Sequence, residues 1–178
     1  MTAPTAEDLQ NEGLRLFQEG LYDEAARRFN DAQELFAGAG QEAQVAEMLN
    51  NIGVIRRKQG QWDDALAVLD EALRVFKRLE DQSRQAQVLG NMGGIYASMG
   101  KREQAMDAWR EAVNLFEVLG ERQKQGETLL ALGLALFKAG QRQEGLGAYQ
   151  AGLQLLEKPT VQQKFVRTLL SLQARVLG

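Results

Sequence analysis

The chain has 178 residues, of which 44% are hydrophobic and 25% charged, and its formal net charge is −3. It contains neither cysteine nor histidine, which excludes disulfides, Ser-His-Asp and Cys-His catalysis, and zinc sites built on histidine or thiolate. The length suits one compact domain or one short array of repeats better than two domains.

Composition also limits where the chain acts and what it binds. No apolar run approaches the ~20 residues of a membrane-crossing helix, and the start, MTAPTAEDLQ, lacks the basic and apolar parts of a secretory signal. We therefore expect a cytoplasmic protein without membrane insertion. Residues 1–120 carry 13 Lys/Arg against 20 Asp/Glu, and residues 121–178 carry 8 against 4. Neither part has the dense basic face of a nucleic-acid binder, so nucleic acid is not an expected partner.

Glycine and alanine recur along the chain at a fixed interval of 40 residues. The repeating positions include Gly13, Gly53, Gly93 and Gly133; Gly20, Gly60, Gly100 and Gly140; and Ala25, Ala65 and Ala105. Such regular self-similarity without insertions indicates four copies of one structural unit.

Each unit is predicted to contain two helices. Between residues 66 and 76, large apolar residues recur at the three- and four-residue steps of a helix. Gly60 stands where the first helix of its unit should end in a left-handed conformation. Gly53 lies inside that helix, where glycine costs roughly 0.5–1 kcal/mol relative to alanine, so we expect it to permit close packing of the partner helix.

The second unit carries a recognisable series of positions: Leu49, Gly53, Gly60, Trp62, Ala65, Leu69 and Ala72. The series resembles the tetratricopeptide repeat (TPR) family in its long, 40-residue variety, over about residues 6–158. The resemblance implies an all-α fold: a right-handed α-solenoid of four helical hairpins in a single domain, 1–178. The expected repeats are about 6–40, 41–80, 81–120 and 121–158, followed by a capping helix at about 160–177. Repeat 4 has Gly145 and Gly152 instead of the two alanines, and its second helix is expected to be the least stable.

A second stripe of residues on the first helix of each repeat is separate from the stripe that packs into the core. The resemblance implies that this stripe lines a concave groove that binds a protein or peptide segment; a solvated helix face is the alternative. In chain order the candidate groove residues are Asn11, Asn50, Asn51, Val54, Arg57, Lys58, Asn91, Gly94, Ser98, Leu130, Leu134 and Phe137. We expect an acidic group of the ligand near Arg57 and Lys58, and a bulky apolar side chain over repeats 3 and 4.

Three of these residues, Asn11, Asn51 and Asn91, recur at the repeat interval. An amide side chain can both donate to a peptide carbonyl and accept from a peptide N–H, which suits capture of a peptide backbone. Alternatively, these asparagines form hydrogen bonds between neighbouring helices. The carboxylate clamp of chaperone-binding TPR proteins is not expected, because its positions here hold Gln10, Asn50, Leu130 and Ala131.

The last segment, VQQKFVRTLLSLQARVL, is apolar on more than one helix face. One stripe can cap repeat 4, whereas Phe165, Val166, Leu170 and Leu177 are candidates for self-association as a homodimer. The alternatives are that this helix is exchanged between protomers, only caps the repeats, or folds over the apolar groove of repeat 4.

No catalytic or cofactor motif emerges from the sequence. The segment GGIYASMGKR (93–102) has the wrong spacing for a phosphate-binding loop. We therefore expect a non-catalytic adaptor for protein–protein interaction with no cofactor and no metal. The alternative function is a structural scaffold that assembles from its own copies through the C-terminal helix.

Overall fold

A computed structural model describes residues 3–157, 159–160 and 163 of the chain. These residues form α-helices and no β-strand, which confirms the predicted all-α helical-repeat fold class. In chain order the described helices are α1 (Ala6–Gln18), α2 (Tyr22–Gly38), α3 (Glu42–Lys58), α4 (Trp62–Arg78), α5 (Gln82–Ser98), α6 (Arg102–Leu119), α7 (Arg122–Lys138) and α8 (Arg142–Leu155).

The predicted capping helix falls almost entirely outside the described residues, and so do the four candidates for self-association, Phe165, Val166, Leu170 and Leu177. None of the described helices is long and apolar enough to cross a membrane.

The chain divides into two compact units, Met1–Asn91 and Met92–Gly178. Unit 1 contains α1 to α4 and the first part of α5, whereas unit 2 contains the last part of α5 and α6 to α8. That the whole chain forms one domain stays a prediction.

The hairpins of unit 1 pack around buried aromatic and aliphatic side chains. Phe29, Phe36, Leu69 and Phe76 are each at most 1% exposed, and burying a side chain of this size contributes about 1.5–3 kcal/mol. The predicted role of Gly53 agrees with the geometry, because a Cβ atom there would lie 2.7 Å from the Leu69 side chain.

The hairpin of α7 and α8 in unit 2 is packed differently, with backbone against backbone. A Cβ atom on Gly145 would lie 2.6 Å from the backbone nitrogen of Phe137, and one on Gly152 would lie 2.8 Å from the carbonyl oxygen of Gly126. The expectation from the sequence that α8 is the least stable helix stays a prediction. The structure gives Gly145 and Gly152 a packing role, since any side chain would hold the two helices apart.

The ends of the first helices follow the prediction for glycine. Gly20, Gly60, Gly100 and Gly140 have φ between 75° and 89°, the left-handed region that other residues disfavour. After α3, the N–H of Gly60 donates to the carbonyl of Arg57 and the N–H of Gln61 donates to that of Arg56. This pair of bonds is a Schellman motif, which satisfies carbonyls that the helix end would otherwise leave open.

Candidate peptide-binding surface

Unit 1 contains a small polar pocket where α3, the end of α4 and the first part of α5 meet. Its volume is about 90 Å³. The polar pocket is lined by Glu47, Asn50, Asn51, Phe76, Arg84, Gln87 and Val88. Two of the predicted groove residues, Asn50 and Asn51, therefore belong to one cavity that offers both hydrogen-bond donors and acceptors.

Arg84 is held in place at the polar pocket by two carboxylates and an aromatic ring. Its guanidinium lies 2.6 Å from Asp81 and 3.3 Å from Glu47, and 5.9 Å from the centre of the Phe76 ring. The hydrogen bond to Asp81 and the two negative charges raise the pKa of Arg84 above its ordinary value, against a smaller lowering by desolvation. Glu47 also accepts a 3.2 Å hydrogen bond from Gln10. The positive charge of Arg84 is thus compensated by the carboxylates of Asp81 and Glu47.

The three asparagines at the repeat interval have different surroundings. The amide of Asn91 donates a 2.9 Å hydrogen bond to the side-chain oxygen of Asn50, so for Asn91 the structure favours the bond between neighbouring helices. Asn51 lies at the polar pocket and makes no side-chain hydrogen bond within the described residues. Asn11 is exposed on α1. Asn51 is thus the member of the series best placed to capture a peptide backbone.

The end of α3 carries three cations with different surroundings. Arg56 forms an ion pair with Asp64 at 3.4 Å, whereas Arg57 and Lys58 form none within the part of the chain that the structure describes. Arg57 is half-buried, as is the neighbouring groove candidate Val54, and Lys58 is exposed. The two cations could therefore meet a carboxylate of a ligand.

Unit 2 contains a larger apolar hollow between the end of α5, the first part of α6 and the second half of α7. Its volume is about 430 Å³, within the range of cavities that bind ligands. The apolar hollow is lined by Ala97, Gly100, Arg102, Ala105, Trp109, Ala131, Leu134, Ala135 and Lys138. The glycine and alanine residues of the lining are too small to fill this space. Leu134 borders it with 53% of its surface exposed.

Only some of the groove residues predicted in repeats 3 and 4 contact this apolar hollow. Leu134 lines it, whereas Phe137, which is 52% exposed, does not. Leu130 and Gly94 are half-buried elsewhere in unit 2. The Ser98 hydroxyl donates to the carbonyl of Gly94 within α5 at 2.9 Å, so its donor is already used.

Sequence reasoning missed the lining residues Arg102, Ala105 and Trp109, because all three lie on the second helix of their repeat. Trp109 is only 8% exposed. Arg102 had a detectable signal: it stands at the repeat position that holds the aromatic residues Tyr22 and Trp62 in repeats 1 and 2. A cation at an aromatic position indicates that this helix end meets a different environment.

Comparison with known proteins identifies the repeat. Residues 44–117 match the model of the tetratricopeptide repeat family. This segment therefore contains tetratricopeptide repeats. Among curated proteins, no sequence matches this chain.

Solved structures share the fold of this chain. BtubC (BKLC) from P. vanneervenii is 23% identical with a TM-score of 0.75, over 84% of this chain and 62% of that one. Aspartyl phosphate phosphatase F from Bacillus subtilis is 13% identical with a TM-score of 0.80, over 84% and 39%. A Rap protein complexed with Competence and Sporulation Factor is 18% identical with a TM-score of 0.79, over 84% and 42%. The chain thus spans less than two thirds of the length of each of these proteins.

Proposed function

We propose that this chain is a non-catalytic adaptor that binds a peptide segment of a partner protein on the surface formed by the first helices of its repeats. The observation that carries the proposal is the apolar hollow of unit 2, which is open to solvent and bordered by the half-exposed Leu134. An apolar surface of this kind is costly to leave hydrated, and such patches often mark binding sites.

The polar pocket of unit 1 would supply a second type of contact. The amide of Asn51 can bond the backbone of an extended peptide regardless of the peptide's sequence. Arg57 and Lys58, which have no ion-pair partner within the described residues, would favour a peptide with an acidic residue near this end of α3.

The fold comparison supports a binding role without identifying the partner. One protein of similar fold was solved with Competence and Sporulation Factor bound, and another is called an aspartyl phosphate phosphatase. Because identity is low, the ligand and the activity belong to those proteins. That this chain has no catalytic activity, uses no cofactor or metal, and is cytoplasmic stays a prediction.

The proposal is tested by selecting peptides from a random library on the intact chain and measuring their affinity by calorimetry. Asn51→Ala and Leu134→Ala should each weaken binding, by roughly two- to fiftyfold if each removes one hydrogen bond or one apolar contact. Leu35→Ala is the matched control for Leu134, since Leu35 is 47% exposed on α2 and borders neither cavity. Peptides that bind both variants as tightly as the unmodified chain would reject the proposed surface.

The alternative function, a self-assembling scaffold, depends on residues outside the described part of the chain. Light scattering distinguishes it: a particle of 19.8 kDa corresponds to the monomer, and a particle of twice that mass would favour the scaffold. Truncation before Phe165 should then restore the monomer.

A further inference from the structure

We infer, building on the proposed function, that the apolar hollow selects an acidic peptide: it accepts one large apolar side chain, while Arg102 and Lys138 bind a carboxylate adjacent to that side chain.

The depth of the hollow comes from size differences between facing residues. Ala105 on α6 and Ala131 and Ala135 on α7 leave space that larger side chains would fill, and Trp109 also lines this space. Trp109 packs closely against Gly93, where a Cβ atom would lie only 2.6 Å from the indole nitrogen. The largely buried tryptophan therefore contributes a rigid apolar part of the lining.

Among the described residues that line the hollow, both charged side chains are cations. Arg102 is the first residue of α6 and Lys138 is the last residue of α7, and none of the described lining residues carries a carboxylate. Within the described residues, neither side chain forms an ion pair. In contrast, nearby Arg110 lies 3.2 Å from Glu144. Two exposed cations beside an apolar cavity favour a ligand that carries its negative charge next to an apolar group.

The arrangement also fixes the direction of the ligand group. Gly100, Arg102 and Lys138 belong to the turns and helix ends, whereas Leu134 and Trp109 lie further along their helices. The carboxylate would thus lie at the turn edge and the apolar side chain toward the middle of the helices.

The test uses Trp109 as its own reporter. The chain has two tryptophans, so the full-length Trp62→Phe variant leaves Trp109 as its single fluorophore of this type. Short peptides of glycine and serine with a central phenylalanine flanked by aspartate are titrated while Trp109 emission is recorded. Matched peptides carry lysine in place of the aspartates, or alanine in place of the phenylalanine.

The aspartate-flanked peptide should change Trp109 emission, and both matched peptides should bind at least roughly tenfold more weakly, since like charges or a missing apolar group oppose binding. Arg102→Gln and Lys138→Gln should each weaken binding of the aspartate-flanked peptide by roughly two- to fivefold. Arg142→Gln is the matched control, because Arg142 is the first residue of α8 at the same repeat position and does not line the hollow. It should have no effect.

Three results would overturn the inference: equal binding of the lysine-flanked peptide, an unchanged Trp109 signal on binding, or binding of free decanoate as tight as that of the peptide. A Trp109 change that follows dimer formation in light scattering would also overturn it, by showing a second copy as the occupant. If peptides bind and lose affinity on Asn51→Ala without a Trp109 response, this inference fails and the proposed function stands. If Trp109 responds while Asn51→Ala has no effect, the assignment of the polar pocket fails instead.

Discussion

The side-chain amide of Asn91 donates a 2.9 Å hydrogen bond to the side-chain oxygen of Asn50, which connects α5 to α3 within unit 1. Both side chains are half-buried, so removing one leaves the other with an unsatisfied polar group. We expect Asn91→Ala to lower the free energy of unfolding by about 1 kcal/mol.

A double-mutant cycle in urea separates this bond from other effects. The Asn50→Ala, Asn91→Ala double variant should lose less free energy of unfolding than the two single variants lose together. The expected coupling energy is about 0.5–1.5 kcal/mol. Asn11→Ala, at an exposed position of the same series, should leave the free energy of unfolding close to that of the unmodified chain. Strict additivity of the two changes would show that the hydrogen bond does not contribute to stability.

Two glycines that lie two residues apart in α8 should differ in the effect of replacement by alanine on the free energy of unfolding. Gly145→Ala places a Cβ atom 2.6 Å from the backbone of Phe137, and because backbone cannot move aside easily, we expect a loss of about 1–3 kcal/mol. Gly147→Ala meets nothing within 4 Å and should raise the free energy of unfolding by about 0.5–1 kcal/mol through helix propensity. Thermal or urea denaturation measures both, and a stabilising Gly145→Ala would contradict the close helix approach.

Leu134 and Phe137 are almost equally exposed, at 53% and 52%, but only Leu134 lines the apolar hollow. Leu134→Ala should therefore weaken peptide binding more than Phe137→Ala does. Neither change should alter the free energy of unfolding by more than about 0.5 kcal/mol, as is usual for surface positions. Calorimetry and denaturation of the same two variants check this, and equal losses of affinity would place the peptide along the whole exposed face of α7.

The stability of α1 should depend on pH through its N-terminal cap. Asp8 accepts hydrogen bonds from the backbone N–H of Thr5 at 3.0 Å and from its hydroxyl at 2.9 Å. The backbone bond, followed by the hydroxyl, lowers the pKa of Asp8 below its ordinary value of 3.8. Since the folded-state pKa is depressed, the cap stabilises the chain above the unfolded pKa and loses this contribution as pH falls through the folded value.

Replacing Thr5 tests this cap. Thr5→Ala should move the pKa of Asp8 back toward its ordinary value, in an NMR titration of the carboxyl group, and should cost about 0.5–2 kcal/mol as the helix loses its N-cap oxygen. Asp8→Asn is the control, because it removes the titration of this group. An Asp8 pKa that does not move in the Thr5→Ala variant would exclude the hydroxyl as a cause.

Helix ends and close approaches in the first three repeats could be predicted because each depends on one residue and its repeat position. Gly60 needs a positive φ wherever a helix stops in this way, and Gly53 faces Leu69 just as Gly13 faces Phe29 and Gly93 faces Trp109. These are local requirements, which a regular spacing preserves.

Features that depend on two elements at once could not be predicted as well. Whether Gly145 weakens α8 or lets it pack depends on what faces it, and the facing residue is another glycine, Gly133. The bond between Asn50 and Asn91 depends on side-chain orientation, which spacing does not give. Arg102 lies on a second helix, and the stripe of residues on the first helices does not include it.

The most direct test of the peptide-binding proposal is amide and indole chemical-shift mapping of the isotope-labelled full chain with a selected peptide bound. We expect the largest changes at Asn51 and Gln87 in unit 1 and at Leu134 and the Trp109 indole in unit 2. Largest changes at exposed second-helix positions such as Arg74 and Glu117, with none at the two cavities, would contradict the account.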